Sequence, residues 1–103
     1  MNTQLTIGSE QRDARGGATL DRRKPLTDQG VSTGAAGTVD DAIDAVEAAA
    51  AAFPEWSTTG PTQRRAVMLK AADLIEERGG EFIEAMMSEV GAAQAWAGFN
   101  VFL

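Results

Sequence analysis

Between Thr38 and Pro54 the apolar residues Val39, Ile43, Val46, Ala50 and Phe53 follow one another at steps of four, three, four and three. That period belongs to a helix with a single apolar stripe. Its start is marked by Thr38, a good N-cap, with Asp41 three residues on in a capping-box-like position. Asp40, Asp41 and Asp44 put negative charge in the first turns, where the helix dipole favours it, and are expected to form a solvated face. Pro54 is expected to end the helix, since the residue before a proline is driven out of the α region. A stripe of this kind has to lie against a second apolar surface. Whatever this chain folds into must supply one.

The rest of the sequence offers little to fill that role. Of the 103 residues, 44% are hydrophobic, but much of that share is alanine, which buries little area. Residues 1–37 read as strands and turns. Gln4-Leu-Thr-Ile7 alternates polar and apolar, Gly8-Ser9 turns, and Glu10-Gln-Arg-Asp13 continues as a weak second strand. Gly16-Gly17 is a further turn, and Ala18-Thr-Leu-Asp-Arg22 leads to Lys24-Pro25. Val31-Ser-Thr33 is a third short extended piece. A polar hairpin of two or three strands is marginal alone and is expected to lean on a neighbour.

Residues 38–103 read as helices. Trp56, in the loop Glu55–Gly60, is expected to plug a gap between helices. Pro61 opens the second helix, which carries Met68, Ala72 and Ile75 on one face and runs to about Arg78, where Gly79-Gly80 breaks it. The third runs from about Glu81 to Val90, with Phe82, Ile83, Met86, Met87 and Val90 on its apolar side; the adjacent methionines read as gap-filling core. Gly91 ends it. A fourth helix then places Ala92, Trp96, Phe99 and Leu103 on one face, with Asn100 at its edge. This bulky apolar face also lacks a partner, and the chain reads as the front part of something larger.

Several chemistries are excluded within these residues. The sequence holds no cysteine and no histidine, which removes disulfides, thiolate nucleophiles, imidazole acid–base catalysis and thiolate or imidazole metal sites. No metal-ligating set is proposed. A net charge of −6 argues against a nucleic acid partner. The basic clusters Arg22-Arg23-Lys24 and Arg64-Arg65 read as solvated or ion-paired. No apolar run reaches the ~18 residues a membrane span needs, and no secretory signal is visible, so a cytoplasmic setting is expected. Gly34-Ala-Ala-Gly37 matches neither the dinucleotide fingerprint nor the P-loop, and reads as a flexible approach to the first helix. No cofactor-binding or catalytic residue is identified.

The order of features carries a resemblance. The turn-rich start is followed by Ala48-Ala-Ala-Ala-Ala-Phe-Pro-Glu-Trp-Ser57, by Pro61-Thr-Gln-Arg-Arg65 and by Leu69-Lys-Ala-Ala-Asp-Leu-Ile-Glu-Glu-Arg78. Met87-Ser-Glu-Val-Gly-Ala92 and Ala95-Trp-Ala-Gly-Phe-Asn-Val101 come last. Together these resemble the N-terminal part of an aldehyde dehydrogenase, and the last segment is most similar to members acting on aromatic aldehydes of the salicylaldehyde and vanillin type. Gln11, Lys24, Thr27-Asp-Gln-Gly30, Val90 and Phe102 depart from the family's usual residues. The resemblance implies an α/β fold for the whole enzyme. The chain itself would be a short β-hairpin region followed by three to four helices, an incomplete piece of a cofactor-binding domain. It implies oxidation of an aldehyde to a carboxylic acid with NAD or NADP, by a cysteine and a glutamate that lie downstream of these residues. No cofactor is expected on the isolated segment, and no activity. The family forms homo-oligomers, and the exposed apolar helix is expected to associate with other protein. The resemblance marks Trp96 and Asn100 as candidates for lining a substrate tunnel. The reading from another class is a small non-catalytic helical module that docks through its apolar C-terminal helix.

Overall fold

The computed structural model describes residues 2–103. Five strands precede four helices: β1 (Asn2–Thr3), β2 (Leu5–Ile7), β3 (Glu10–Arg12), β4 (Thr19–Arg23), β5 (Gly30–Ala35), α1 (Val39–Thr58), α2 (Pro61–Glu77), α3 (Gly79–Ala85) and α4 (Gln94–Val101). The arrangement is that of a partial α/β domain. The chain divides into two compact units, one comprising residues up to Arg22 together with Val31–Thr58, the other Arg23–Gly30 together with Thr59–Leu103.

In the first unit β2 and β3 form an antiparallel pair, with Leu5 opposite Arg12 and Ile7 opposite Glu10. Gly8 and Ser9 close it with φ of 59° and 75°. Two successive positive φ values make the tight turn whose twist suits a two-residue hairpin. A second sheet has the order β1-β5-β4, and β1 runs parallel to β5 with Asn2 opposite Thr33. Nothing in the sequence pattern announced β1, a two-residue strand without an apolar period. β5 also runs further than Val31–Thr33: Gly34 and Ala35 are paired strand residues, and Gly34 is buried. A Cβ there would lie 2.8 Å from the Arg22 guanidinium, which crosses the strand to donate to Thr3 Oγ1 at 2.8 Å, so a side chain at this position would have to displace that arginine.

Helix α1 begins as the sequence indicates. Thr38 Oγ1 accepts from the Asp41 N–H at 3.2 Å, and Asp41 Oδ2 accepts from the Thr38 N–H at 2.9 Å, a reciprocal cap. It does not end at Pro54, which lies inside the helix. The proline removes one intrahelical donor, but residues 49–58 are all exposed, so water can meet the freed carbonyl. The hydroxyls of Ser57 and Thr58 donate to the Pro54 and Glu55 carbonyls in the last turn. Trp56 is therefore a helix residue rather than a loop plug, and it is exposed.

The acids of α1 are more than a solvated face. Asp41 is only 2% exposed. Arg12, at the end of β3, reaches Asp41 at 3.0 Å and Asp44 at 2.6 Å, and Arg15 reaches Asp44 at 2.7 Å. These ion pairs tie the β2–β3 hairpin to the first turns of α1. The Thr38 backbone N–H, more than any other group, holds the Asp41 carboxyl below its ordinary range, against the opposing effect of burial; the Arg15 N–H adds to it. Asp44 is lowered chiefly by its hydrogen bond from Arg15 and next by that from Arg12.

In the second unit the segment 23–30 is a turn. The Lys24 N–H donates to the Gln29 carbonyl at 2.8 Å, and Arg23 pairs with Asp28, also at 2.8 Å. α2 starts at Pro61 and ends near Arg78 as expected, but the glycines do not cap it. Arg78 is the C-cap, and Gly79-Gly80 form the first turn of α3 rather than a glycine stop. A π-helical turn, Met86–Val90, continues α3 and closes at Gly91, whose φ of 74° is left-handed. α4 then begins at Gln94, leaving Ala92 and Leu103 outside the helix.

Among the described residues the buried apolar side chains are Ala14 and Ala97 alone. The stripe of α1 is open, with Val39, Ile43, Val46 and Phe53 all exposed. The same holds for Val67, Met68, Leu69, Leu74 and Ile75 on α2. Helices of this amphipathicity acquire most of their stability from packing, which these residues by themselves scarcely provide.

Candidate functional site

The candidate site is α4. The connection before it is built from small residues, Gly91-Ala92-Ala93, and the Ala97 N–H donates to the Ala93 carbonyl at 2.9 Å to open the helix. Ala97 faces inward and is 0% exposed. Val101, one turn later, meets the start of α3: a Cβ built on Gly79 would lie 3.1 Å from Val101 Cγ1. Positions four apart share a helix face, so Ala97 and Val101 form the seam with α3.

This turns the bulky residues outward. Trp96 is 59% exposed and Phe99 53%. Their rings stack, with centroids 5.6 Å apart and planes inclined by 28°. Such a pair is stabilising by about 0.5–1.5 kcal/mol beyond the area it covers. Trp96 and Asn100 lie on the same side, four residues apart, as the sequence period requires. Asn100 donates from Nδ2 to the Trp96 carbonyl at 2.8 Å, which turns its amide back along the helix and leaves the carbonyl Oδ1 as its remaining acceptor. Phe99 was not singled out by the sequence as a site residue. The signal was present in its three-residue spacing from Trp96, which predicts contact on a helix.

Next to α4, an open groove of about 580 Å³ runs along α3 and the 23–30 turn. Leu26, Ile83 and Met87 form its apolar part, and Lys24, Glu84 and Gln94 its polar part. Met87 is thus a groove residue and not the core filler its pairing with Met86 suggested. No cluster of three or more metal-ligating side chains occurs among the described residues.

The N-terminus of α1, where a phosphate would find free N–H groups, is filled by the chain's own Asp41 carboxylate. The only glycine-rich approach to that helix runs through Gly34, which is closed over by Arg22.

What remains is an outward-facing aromatic rung on a short helix. Residues 12–102 match the model of the aldehyde dehydrogenase family, and the chain belongs to that family. It is 52% identical over 99 residues to a vanillin dehydrogenase of Pseudomonas sp. strain HR199, covering 96% of this chain and 20% of that protein. The crystal structure of a salicylaldehyde dehydrogenase from Pseudomonas putida G7 complexed with salicylaldehyde superposes with a TM-score of 0.94 at 42% identity, covering 99% of this chain and 21% of that one. An NAD-dependent aldehyde dehydrogenase from Sinorhizobium meliloti superposes with a TM-score of 0.93 at 32% identity, covering 98% and 21%. The chain thus spans about a fifth of the length of the relatives it matches.

Proposed function

We propose that this chain is the N-terminal segment of an NAD(P)-dependent aldehyde dehydrogenase that oxidises an aromatic aldehyde to its carboxylic acid. In this reading α4 forms one wall of the path that the aldehyde takes, with Trp96 as the stacking surface and Asn100 Oδ1 as a polar contact at its edge. The nicotinamide accepts the hydride in such enzymes, and the groups that hold it lie outside these residues. The cytoplasm is the compartment we assign; no helix among the described residues is long and apolar enough to cross a membrane. The full-length enzyme would be a homo-oligomer.

The observation that carries the proposal is the outward stack of Trp96 on Phe99. A tryptophan that exposed, in a helix otherwise seated on alanine, presents a flat apolar face suited to a flat apolar substrate. Relatives named for vanillin and salicylaldehyde support the aromatic class.

Two measurements test it. The purified chain, mixed with NAD and salicylaldehyde, is expected to give no rise in NADH absorbance; turnover would end the segment reading. In the full-length enzyme, Trp96→Ala should raise KM for salicylaldehyde about 5- to 30-fold, the equivalent of ~1–2 kcal/mol of lost ring contact. KM for propanal should change less than about twofold, because a short chain offers no ring to stack. An equal rise for both aldehydes would remove Trp96 from the substrate path.

A further inference from the structure

We propose that Gly79 and Val101 are positioning residues that set where the Trp96–Phe99 rung stands, and through it the preference for aromatic over aliphatic aldehydes. This rests on the reading of Trp96 as a substrate wall.

Among the described residues the aromatic pair has little else to locate it. Both rings are more than half exposed within this segment, and what it offers them is each other and the helix that carries them. Their position is set by the helix that carries them. α4 is only eight residues long and is seated along one side, by Ala97 and Val101, against α3. At its N-terminal end the π turn and the left-handed Gly91 fix the point from which it starts. At its C-terminal end the fixing contact is Val101 against Gly79.

That contact is tight. Gly79 is buried, and the absent Cβ would stand 3.1 Å from Val101 Cγ1, about 0.3 Å inside ordinary van der Waals contact. The glycine is not needed for its backbone, since it is not among the glycines with positive φ. Alanine would fit the helix better than glycine by conformational propensity. The missing methyl therefore serves the approach of α4. Trp96 lies five residues from Val101, ~7.5 Å along the helix, within the same rigid element. A push at Val101 tilts α4 about the fully buried Ala97 and carries the rung with it.

The experiment is a double-mutant cycle in the full-length enzyme, with Trp96→Ala as the reference. Gly79→Ala should lower kcat/KM for salicylaldehyde about fourfold, the loss expected for a ~0.3 Å misplacement when ~1 Å costs a hundredfold in rate. Both kcat and KM for propanal should stay within twofold. Val101→Ala added to Gly79→Ala removes the crowded methyl and should restore the aromatic preference. Val101→Ala alone loosens the same seat and should lower that preference while adding no bulk, which keeps the idea testable if Gly79→Ala folds poorly. If Trp96→Ala alters the preference and neither Gly79→Ala nor Val101→Ala does, the positioning role is overturned and the tunnel reading stands. A change equal for both aldehydes, or a defect that Val101→Ala fails to rescue, also overturns it. If Trp96→Ala itself leaves the preference untouched, the reading beneath the proposal fails, and the proposal with it.

Discussion

Phe53 on α1 measures whether the apolar stripe has a partner. In this chain the side chain is 65% exposed. Full burial of a phenylalanine is stabilising by roughly 1.5–3 kcal/mol, so the third that is covered here contributes about 0.5–1 kcal/mol. Phe53→Ala in the isolated chain should therefore cost no more than about 1 kcal/mol. If the chain is one segment of a larger enzyme, the stripe of Val39, Ile43, Val46 and Phe53 is covered there. The same substitution then becomes a core deletion of ~3–5 kcal/mol. Amide hydrogen exchange across α1 reads both cases in one unit, because the opening free energy of the helix sets the exchange rate. The variant should speed exchange about fivefold in the chain and more than about 150-fold in the full-length enzyme, at ~1.4 kcal/mol per factor of ten. A cost of about 1 kcal/mol in both would show that the stripe faces water even in the complete enzyme. That result would refute the argument from unpartnered surface to missing protein.

The latch between the hairpin and α1 has a defined pH window. Asp44 is held below its ordinary value of 3.8, first by Arg15 and then by Arg12, so its contribution is present above that value and lost as pH falls through the lowered one. Asp44→Asn should destabilise the β2–β3 hairpin by a constant amount between about pH 5 and 8. The difference from the parent should shrink below 3.8, measured by hydrogen exchange or by chemical shifts of Arg12 and Arg15. Gly91→Ala places a Cβ at a φ of 74° and should cost about 1–2 kcal/mol, seen as faster exchange in the π turn and at the start of α4.

Features written into single residues were legible. Thr38 and Asp41 form the reciprocal cap that their spacing announces, Gly8-Ser9 makes its turn, Pro61 opens α2, and Gly91 takes the left-handed conformation only glycine adopts freely. What failed to show were outcomes decided by partners far away in sequence. Asp41 reads as a dipole complement, and it is that, but its burial depends on Arg12 and Arg15, 29 and 26 residues earlier. Pro54 reads as a stop because the local rule is strong. It is overridden where the helix surface is open to water and hydroxyls follow to cap the last turn. The strand β1 and the π turn have no compositional mark at all.

The candidate site shows why hydrophobic periodicity alone misplaces a face. The period assigns the bulky residues of the last helix, Trp96 and Phe99, to the side that packs. Within the second unit the opposite holds: the contact side is Ala97 and Val101 against Gly79, and the large rings look away. Close approach of two helices favours small residues, and bulk is then free to serve another surface. A helix seated on alanine and glycine has little room to adjust, so a change of one methyl at the seam moves the whole rung. A helix seated on leucines would absorb that change by rotamer shifts. The sequence feature to read for such a site is therefore the small-residue side of the amphipathic helix. Here that side holds Ala97, with Gly79 of α3 across the seam, and in the proposal above these two determine how firmly the aromatic side is aimed.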